Sequence, residues 1–155
     1  MTTAPSDAVR ILPMRWWHIE DILPIEDDAF GADRWSPAMF WNELANRHHY
    51  LIAVEPPTGR LVGYAGLALQ PPSEAWVQSI AVRRDSRRSG VGRALLTELL
   101  RVAQDAGARS VLLEVAVDNA PAQRLYAAYG FEPLGIRRGY YQSSNTDALV
   151  MERHG

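Results

Sequence analysis

A chain of 155 residues, 47% apolar and 22% charged, is long enough to bury one core and gives no sign of a second domain. A net charge of −2 argues against wholesale nucleic-acid binding, and the lack of cysteine excludes disulfides, thiolate metal sites and a cysteine nucleophile. All 16 basic residues are arginine, so neither a lysine Schiff base nor a phosphate-loop lysine can be built.

The N-terminal "MTTAPSDAV" lacks the basic start and apolar centre of a signal peptide, and no run is long enough to cross a bilayer. A cytoplasmic protein is predicted, with residues 1–7 as a loose tail. "VRILP" at 9–13 reads as a first strand. "MRWWHIEDILPIEDDAF" has helical spacing through Trp16, Ile19, Ile22 and Leu23, and Pro24 is expected to kink or end that helix. Ser36 followed by "PAMFWNELANR" is a cap residue and then a proline at the first helical position. "YLIAVE", "LVGYAGLALQ" and "AWVQSIAV" read as three antiparallel strands with a turn at "PPTGR".

The next helix is the clearest element. Val91, Leu95, Leu99 and Val102 recur at helical spacing while Glu98, Arg101 and Asp105 face away, and Gly107 closes it. "SVLLEVAV" is a nearly continuous apolar strand, so strand, helix and strand make a parallel crossover. "DNAPAQRLYAAYG" is a helix capped by Asn119 and ended by Gly130, and "FEPLGIRRGYY" with "DALVMER" makes a closing hairpin. The order of strand, two helices, three strands, helix, strand, helix and two strands predicts one α/β domain, spanning 1–155, around a mixed sheet.

Several residues in this frame carry possible chemistry. Arg83, Arg84, Arg87 and Arg88 precede Gly90 and Gly92 at the mouth of the long helix, with the spacing R-x-x-G-x-G from Arg87. Free N–H groups and the dipole of a helix start attract anions, and glycine lets a ligand approach the backbone, so a pyrophosphate suits the loop. By itself the loop also fits a nucleic-acid patch or a plain exposed turn. Glu114 is the one charge inside "VLLEVAV"; it is either a working carboxylate, a residue at the strand's wet end, or the partner of an arginine. Tyr126 is either a proton donor or a core tyrosine, with Tyr129 the better core candidate. His48 and His49 are adjacent and lack a ligand-spaced partner, so no metal site is expected. Trp16, Trp17, Trp35, Trp41 and Trp76 read as core and groove lining.

"SIAV" followed by "RRSGVGRALL" resembles the acetyl-CoA-binding segment of the Gcn5-related N-acetyltransferases. "LEVAVDNAPAQRLYAAYGF", "RRGYYQSSNTDALVM" and "WSPAMFWNEL" are similar to the bacterial RimI-type alanine N-acetyltransferases, which modify the N-terminal alanine of ribosomal protein eighteen of the small subunit. The resemblance covers essentially the whole chain. It implies the GNAT fold, an α+β arrangement of about seven strands and about four helices, with acetyl-CoA as co-substrate and no metal.

By the same resemblance Arg87, Arg88, Ser89, Gly90, Val91, Gly92 and Arg93 would cradle the coenzyme pyrophosphate. Ile80, Ala81 and Val82 would offer backbone to the thioester, and Asn119 would touch the coenzyme. Glu114 would be the base and Tyr126 the acid. Trp35, Asp28, Tyr140 and Tyr141 would face the acceptor, an N-terminal protein segment, with Glu26, Asp27, Asp28 and Asp33 as an acidic rim suited to a cationic tail. That loop also fits a merely solvated acidic stretch, and the two tyrosines also fit packing of the last hairpin. Arg34 stands where the subfamily usually has proline, which leaves the substrate entrance open. An acetyltransferase of lysines or small amines shares every cofactor residue, and a silent acyl-CoA-binding module is the rival of another class. Oligomeric state is not readable.

Overall fold

The computed structural model describes residues 9–154 apart from 57, 71, 88 and 142–145. Seven strands form one sheet in the order β1 (Arg10–Pro13), β2 (His49–Glu55), β3 (Arg60–Gln70), β4 (Glu74–Val82), β5 (Ser110–Ala116), β7 (Thr146–His154), β6 (Glu132–Tyr141). All neighbours are antiparallel except β4 and β5. Four helices cover the faces: α1 (Ile19–Phe30), α2 (Pro37–Ala45), α3 (Val91–Asp105) and α4 (Ala120–Ala128).

The apolar stripe of α3 decides where that helix lies. Val91, Leu95, Leu96, Leu99, Leu100 and Ala103 are buried against one face of the sheet, in a core that includes Val62, Leu67, Leu113 and Met151. Gly63 lets α3 come this close, because a Cβ there would stand 2.9 Å from the Ala81 carbonyl oxygen and 3.1 Å from Val91 Cγ1. The other face holds a second core built from Ile19, Ile22 and Ile25 of α1, Phe40 of α2, and Tyr50, Ile52 and Tyr64 of the sheet. The Tyr50 ring occupies the space where a Gly66 side chain would stand.

The structure narrows one expectation and corrects another. Pro24 does not end α1, which runs on for six residues to Phe30. Proline sits on the solvent face, where water can satisfy the Glu20 carbonyl, while the buried Ile22, Ile25 and Glu26 keep the last turns on the sheet. The tryptophans divide. Trp35 and Trp76 are half-buried, but Trp16, Trp17 and Trp41 are 59%, 56% and 48% exposed, with Trp16 stacked on Trp41 at 5.9 Å. They fall on the outward sides of α2 and of the turn before α1, away from either core.

Candidate active site

β4 and β5 pair only from Glu74 to Val77 against Ser110 to Leu113, and then part. The cause is visible one strand away: Leu67 pairs with Val77 and Gly66 with Ser79, so Gln78 is an extra residue that bends β4. Beyond the bulge the two strands diverge around a cavity of about 870 Å³. Glu26 and Trp35 line it from the α1 side, Ser79 and Ile80 from β4, Glu114 from β5, and Asn119 and Tyr126 from α4.

The open edge of β4 offers backbone donors. The Arg83 N–H bonds the Val62 carbonyl of β3 at 2.7 Å, so strand alternation turns the N–H groups of Ile80 and Val82 toward the side β5 has left. Arg87 Nε donates to the Val82 carbonyl at 3.2 Å on that same side. Ala81 is buried between the layers.

Next along the chain, Gly90 takes φ +89° and no side chain caps α3. The first helical bond is Ala94 N–H to the Gly90 carbonyl, so the N–H groups of Val91, Gly92 and Arg93 have no acceptor within the helix. A Cβ on Gly92 would meet only ordinary contacts, Leu125 Cδ2 at 3.7 Å and Val82 Cγ2 at 3.9 Å. The Ser89 hydroxyl donates to the Ser86 carbonyl and fixes the turn before the glycines. These loop residues adjoin the end of β4 but do not line the cavity, and Arg88 lies outside the described residues.

Glu114 is 12% exposed, and Arg137 Nη1 donates to its Oε1 at 2.8 Å. Its Oε2 is the only buried side-chain polar atom without a hydrogen-bond partner among the described residues. Arg137 comes from β6 across β7, passing the small, buried Ala148 with which it is in register. Tyr126 is buried beside the cavity with its ring against Phe131 at 5.9 Å, and burial pushes its phenol up to about 12. Tyr129 is the less buried of the two tyrosines, its hydroxyl 3.2 Å from Thr97 Oγ1, so the expected core tyrosine is the peripheral one. Asn119 Oδ1 accepts the Ala122 N–H at 3.2 Å as a helix cap, which leaves its amide NH₂ for a ligand.

On the acceptor side the acidic segment splits. Glu26 is 2% exposed, accepting from the Tyr64 hydroxyl and, at 2.7 Å, from the Trp35 N–H. Burial raises its carboxyl, and those two hydrogen bonds oppose the rise. Asp28 is not at the cavity; it pairs with Arg84 at 2.7 Å and Arg87 at 3.4 Å, and Arg84 holds its carboxyl below the usual range. Asp33 lines the cavity and Asp27 lies 3.5 Å from Arg34. Tyr140 and Tyr141 belong to β6, but their side chains lie outside the described residues.

A carboxylate with one oxygen bare, a phenol and free backbone donors thus converge on a cleft between parted strands, beside an uncapped helix start. The family model described as the acetyltransferase (GNAT) family matches residues 14–131. The chain belongs to the GNAT acetyltransferases. This GNAT chain is 43% identical to the N-alpha-acetyltransferase RimI of Mycobacterium tuberculosis, over 97% of its own length and 96% of that protein. It is 34% identical to the [ribosomal protein bS18]-alanine N-acetyltransferase of Escherichia coli K12, over 76% of this chain and 78% of the relative. The crystal structure of the Escherichia coli ribosomal-protein-S18-alanine N-acetyltransferase superposes with a TM-score of 0.83 at 29% identity, covering 94% and 93% of the two chains. Ard1 from Thermoplasma volcanium gives 0.87 at 27% identity over 95% and 97%. The enzyme is therefore an N-acetyltransferase of RimI type with the GNAT fold.

Sequence reasoning missed Arg137, Tyr64 and the burial of Glu26. For Glu26 a signal exists: it continues the stripe of Ile22 and Ile25 on α1, so a carboxylate stands on an apolar face. It also carries a pH signature. Folding favours the protonated form, so the native chain binds more protons than the unfolded one between the ordinary value of 4.5 and the raised value. Stability from this group falls as pH rises through that window. Thermal melts of the wild type and Glu26→Gln should therefore show the wild type gaining on the variant as pH is lowered toward 4.5; a constant gap would contradict the assignment.

Proposed function

We propose that the enzyme moves the acetyl group of acetyl-CoA to the α-amine of an N-terminal alanine, with the N-terminal segment of ribosomal protein bS18 as acceptor. The observation that carries this reading is Glu114 in the lining of a cavity that it shares with Tyr126, with Arg137 on one carboxylate oxygen and the other, buried oxygen without a hydrogen-bond partner. The names of the Escherichia coli relative and its crystal structure give that acceptor, and that of the Mycobacterium tuberculosis relative gives an α-amine.

The residues present fit the coenzyme. Gly90 and Gly92 leave the start of α3 bare, its first N–H groups receive the pyrophosphate, and Arg87 adds charge once it leaves Asp28. Arg88, Ser89, Val91 and Arg93 complete that loop. Ile80 and Val82 turn their N–H groups toward the thioester oxygen at the open edge of β4. Acetyl-CoA supplies the acetyl group as a thioester.

The Glu114 carboxylate takes the proton as the acceptor amine attacks. An α-amine, with a pKa near 8, asks little of that base, whereas a lysine amine near 10.4 would need about 3 kcal/mol more. Tyr126 keeps its proton at any working pH, its phenol held up at about 12, and donates it to the departing sulfur. Burial makes the phenol a weaker acid, and a thiolate leaving into similarly dry surroundings is a stronger base, so the two shifts offset each other. Trp35 closes the acceptor side.

Mass spectrometry of two peptides tests the reading. One begins Ala-Arg-Tyr with a free α-amine, and the other has a blocked terminus and a single lysine. The enzyme has no lysine, so any acetyl-lysine formed belongs to the peptide. Rapid acetylation of the alanine alone is expected. Preferential lysine modification would transfer the function to side-chain amines, and silence on both with the coenzyme bound would point to small amines or an inactive module.

A further inference from the structure

Glu26 takes no part in the proton transfers above, yet it is the one fully buried carboxylate among the described residues. Burying a carboxylate is costly unless its oxygens are paired, and a leucine would fill the same volume without that cost. The two donors explain the choice. Tyr64, fully buried on the central strand β3, donates to Oε1, while the backbone N–H of Trp35 donates to Oε2 at 2.7 Å. A single carboxylate thus ties the sheet to a segment nine residues further along the chain.

Within that segment Arg34 also pairs with Asp27 at 3.5 Å and donates from Nη1 to the Gly31 carbonyl at 3.0 Å. Between α1 and α2 the segment makes one 3-10 turn, Gly31–Asp33, closed by the Arg34 N–H to the Gly31 carbonyl at 3.1 Å. Trp35 also leans on Phe40, with ring centroids 5.1 Å apart. Trp35 lines both the 870 Å³ cavity and a second hollow of about 810 Å³ between α1 and the start of α2. A shift of Trp35 therefore changes the shape of the cavity wall.

We propose that Glu26 is a positioning residue that sets how large a first residue the acceptor may carry, by holding Trp35 as a fixed wall of the cavity. The inference rests on the reading that this cavity receives the acceptor's N-terminal residue. A carboxylate accepts from both donors at once, whereas glutamine has one carbonyl oxygen and must turn its NH₂ toward either the Trp35 N–H or the Tyr64 hydroxyl.

The experiment compares the full-length wild type with Glu26→Gln in two readouts. Amide hydrogen exchange is followed over residues 31–36, and kcat and KM are measured for three peptides identical except for a first residue of Ala, Val or Leu. Expected for Glu26→Gln are exchange at least about tenfold faster over 31–36 and acetyl-CoA affinity within about twofold. The preference for Ala over Leu should fall about tenfold, mainly through KM. A uniform loss on all three peptides with the preference intact would make Glu26 merely structural and overturn the proposal.

Should the wild type acetylate none of the peptides, the proposed acceptor fails on its own. The exchange readout still decides, since unchanged protection of 31–36 overturns the strap. Tyr64→Phe, which removes one donor and leaves the Trp35 bond, should move both readouts the same way by less; it serves as the deciding variant if Glu26→Gln does not fold.

Discussion

Glu114→Gln is expected to lower turnover on an Ala-initiated peptide about 10²- to 10³-fold near pH 6.5, with acetyl-CoA affinity nearly unchanged. The substitution is close to isosteric. Its carbonyl oxygen can still accept from Arg137, so the tie across β7 survives, while an NH₂ replaces the bare Oε2 and cannot take a proton. The coenzyme seat is untouched because it lies at the start of α3, outside the cavity that Glu114 lines. The defect should also depend on pH with a definite sign. Near pH 6.5 only a few per cent of an α-amine with pKa about 8 is neutral, so the base matters most there; by pH 9 most of it is neutral and the gap should narrow to about tenfold. Initial rates of both proteins from pH 6 to 9 check this, and equal rates throughout would remove Glu114 as the base.

What made Glu114 visible in the sequence is local, and what gives it a role is not. A single charge in "VLLEVAV" stands out at once, as does the run of glycines before the stripe of α3, because both are patterns within one element. The caps at Asn119 and the left-handed glycines at 107 and 130 were equally legible, since helix ends are set by their own few residues. The parting of β4 from β5 follows instead from a bulge at Gln78 in the pairing with β3, which no spacing inside β4 announces. Arg137 reaches Glu114 from the sheet's far edge only because β7 inserts between β5 and β6. At Pro24 the local rule offers a kink or an end, and the helix continues because Ile25 and Glu26 are buried, which lies outside the rule. Asp28 shows a further limit, since its partners Arg84 and Arg87 lie 56 and 59 residues away and meet it through the fold rather than through any shared element.

Gly92→Trp should abolish coenzyme binding while leaving the fold in place. The glycine lies in the first turn of α3, and the direction of its missing Cβ is bounded by Leu125 Cδ2 at 3.7 Å and Val82 Cγ2 at 3.9 Å, both ordinary contacts. The protein therefore tolerates a methyl there, and Gly92→Ala is expected to fold at least as well as the wild type, alanine being favoured over glycine in a helix by about 1 kcal/mol. An indole is different. It extends between the end of β4 and α4, across the mouth of the cleft and over the free N–H groups of residues 91–93 that make the anion seat. A loss of at least about 100-fold in acetyl-CoA affinity, near 3 kcal/mol, is expected by calorimetry, with a melting temperature close to that of Gly92→Ala. The pair of variants separates the seat from a mere turn, because a turn kept for flexibility would respond to both substitutions through stability and to neither through the coenzyme. Normal coenzyme titration by a folded Gly92→Trp protein would refute the cradle, and the arginines before it would then need another partner.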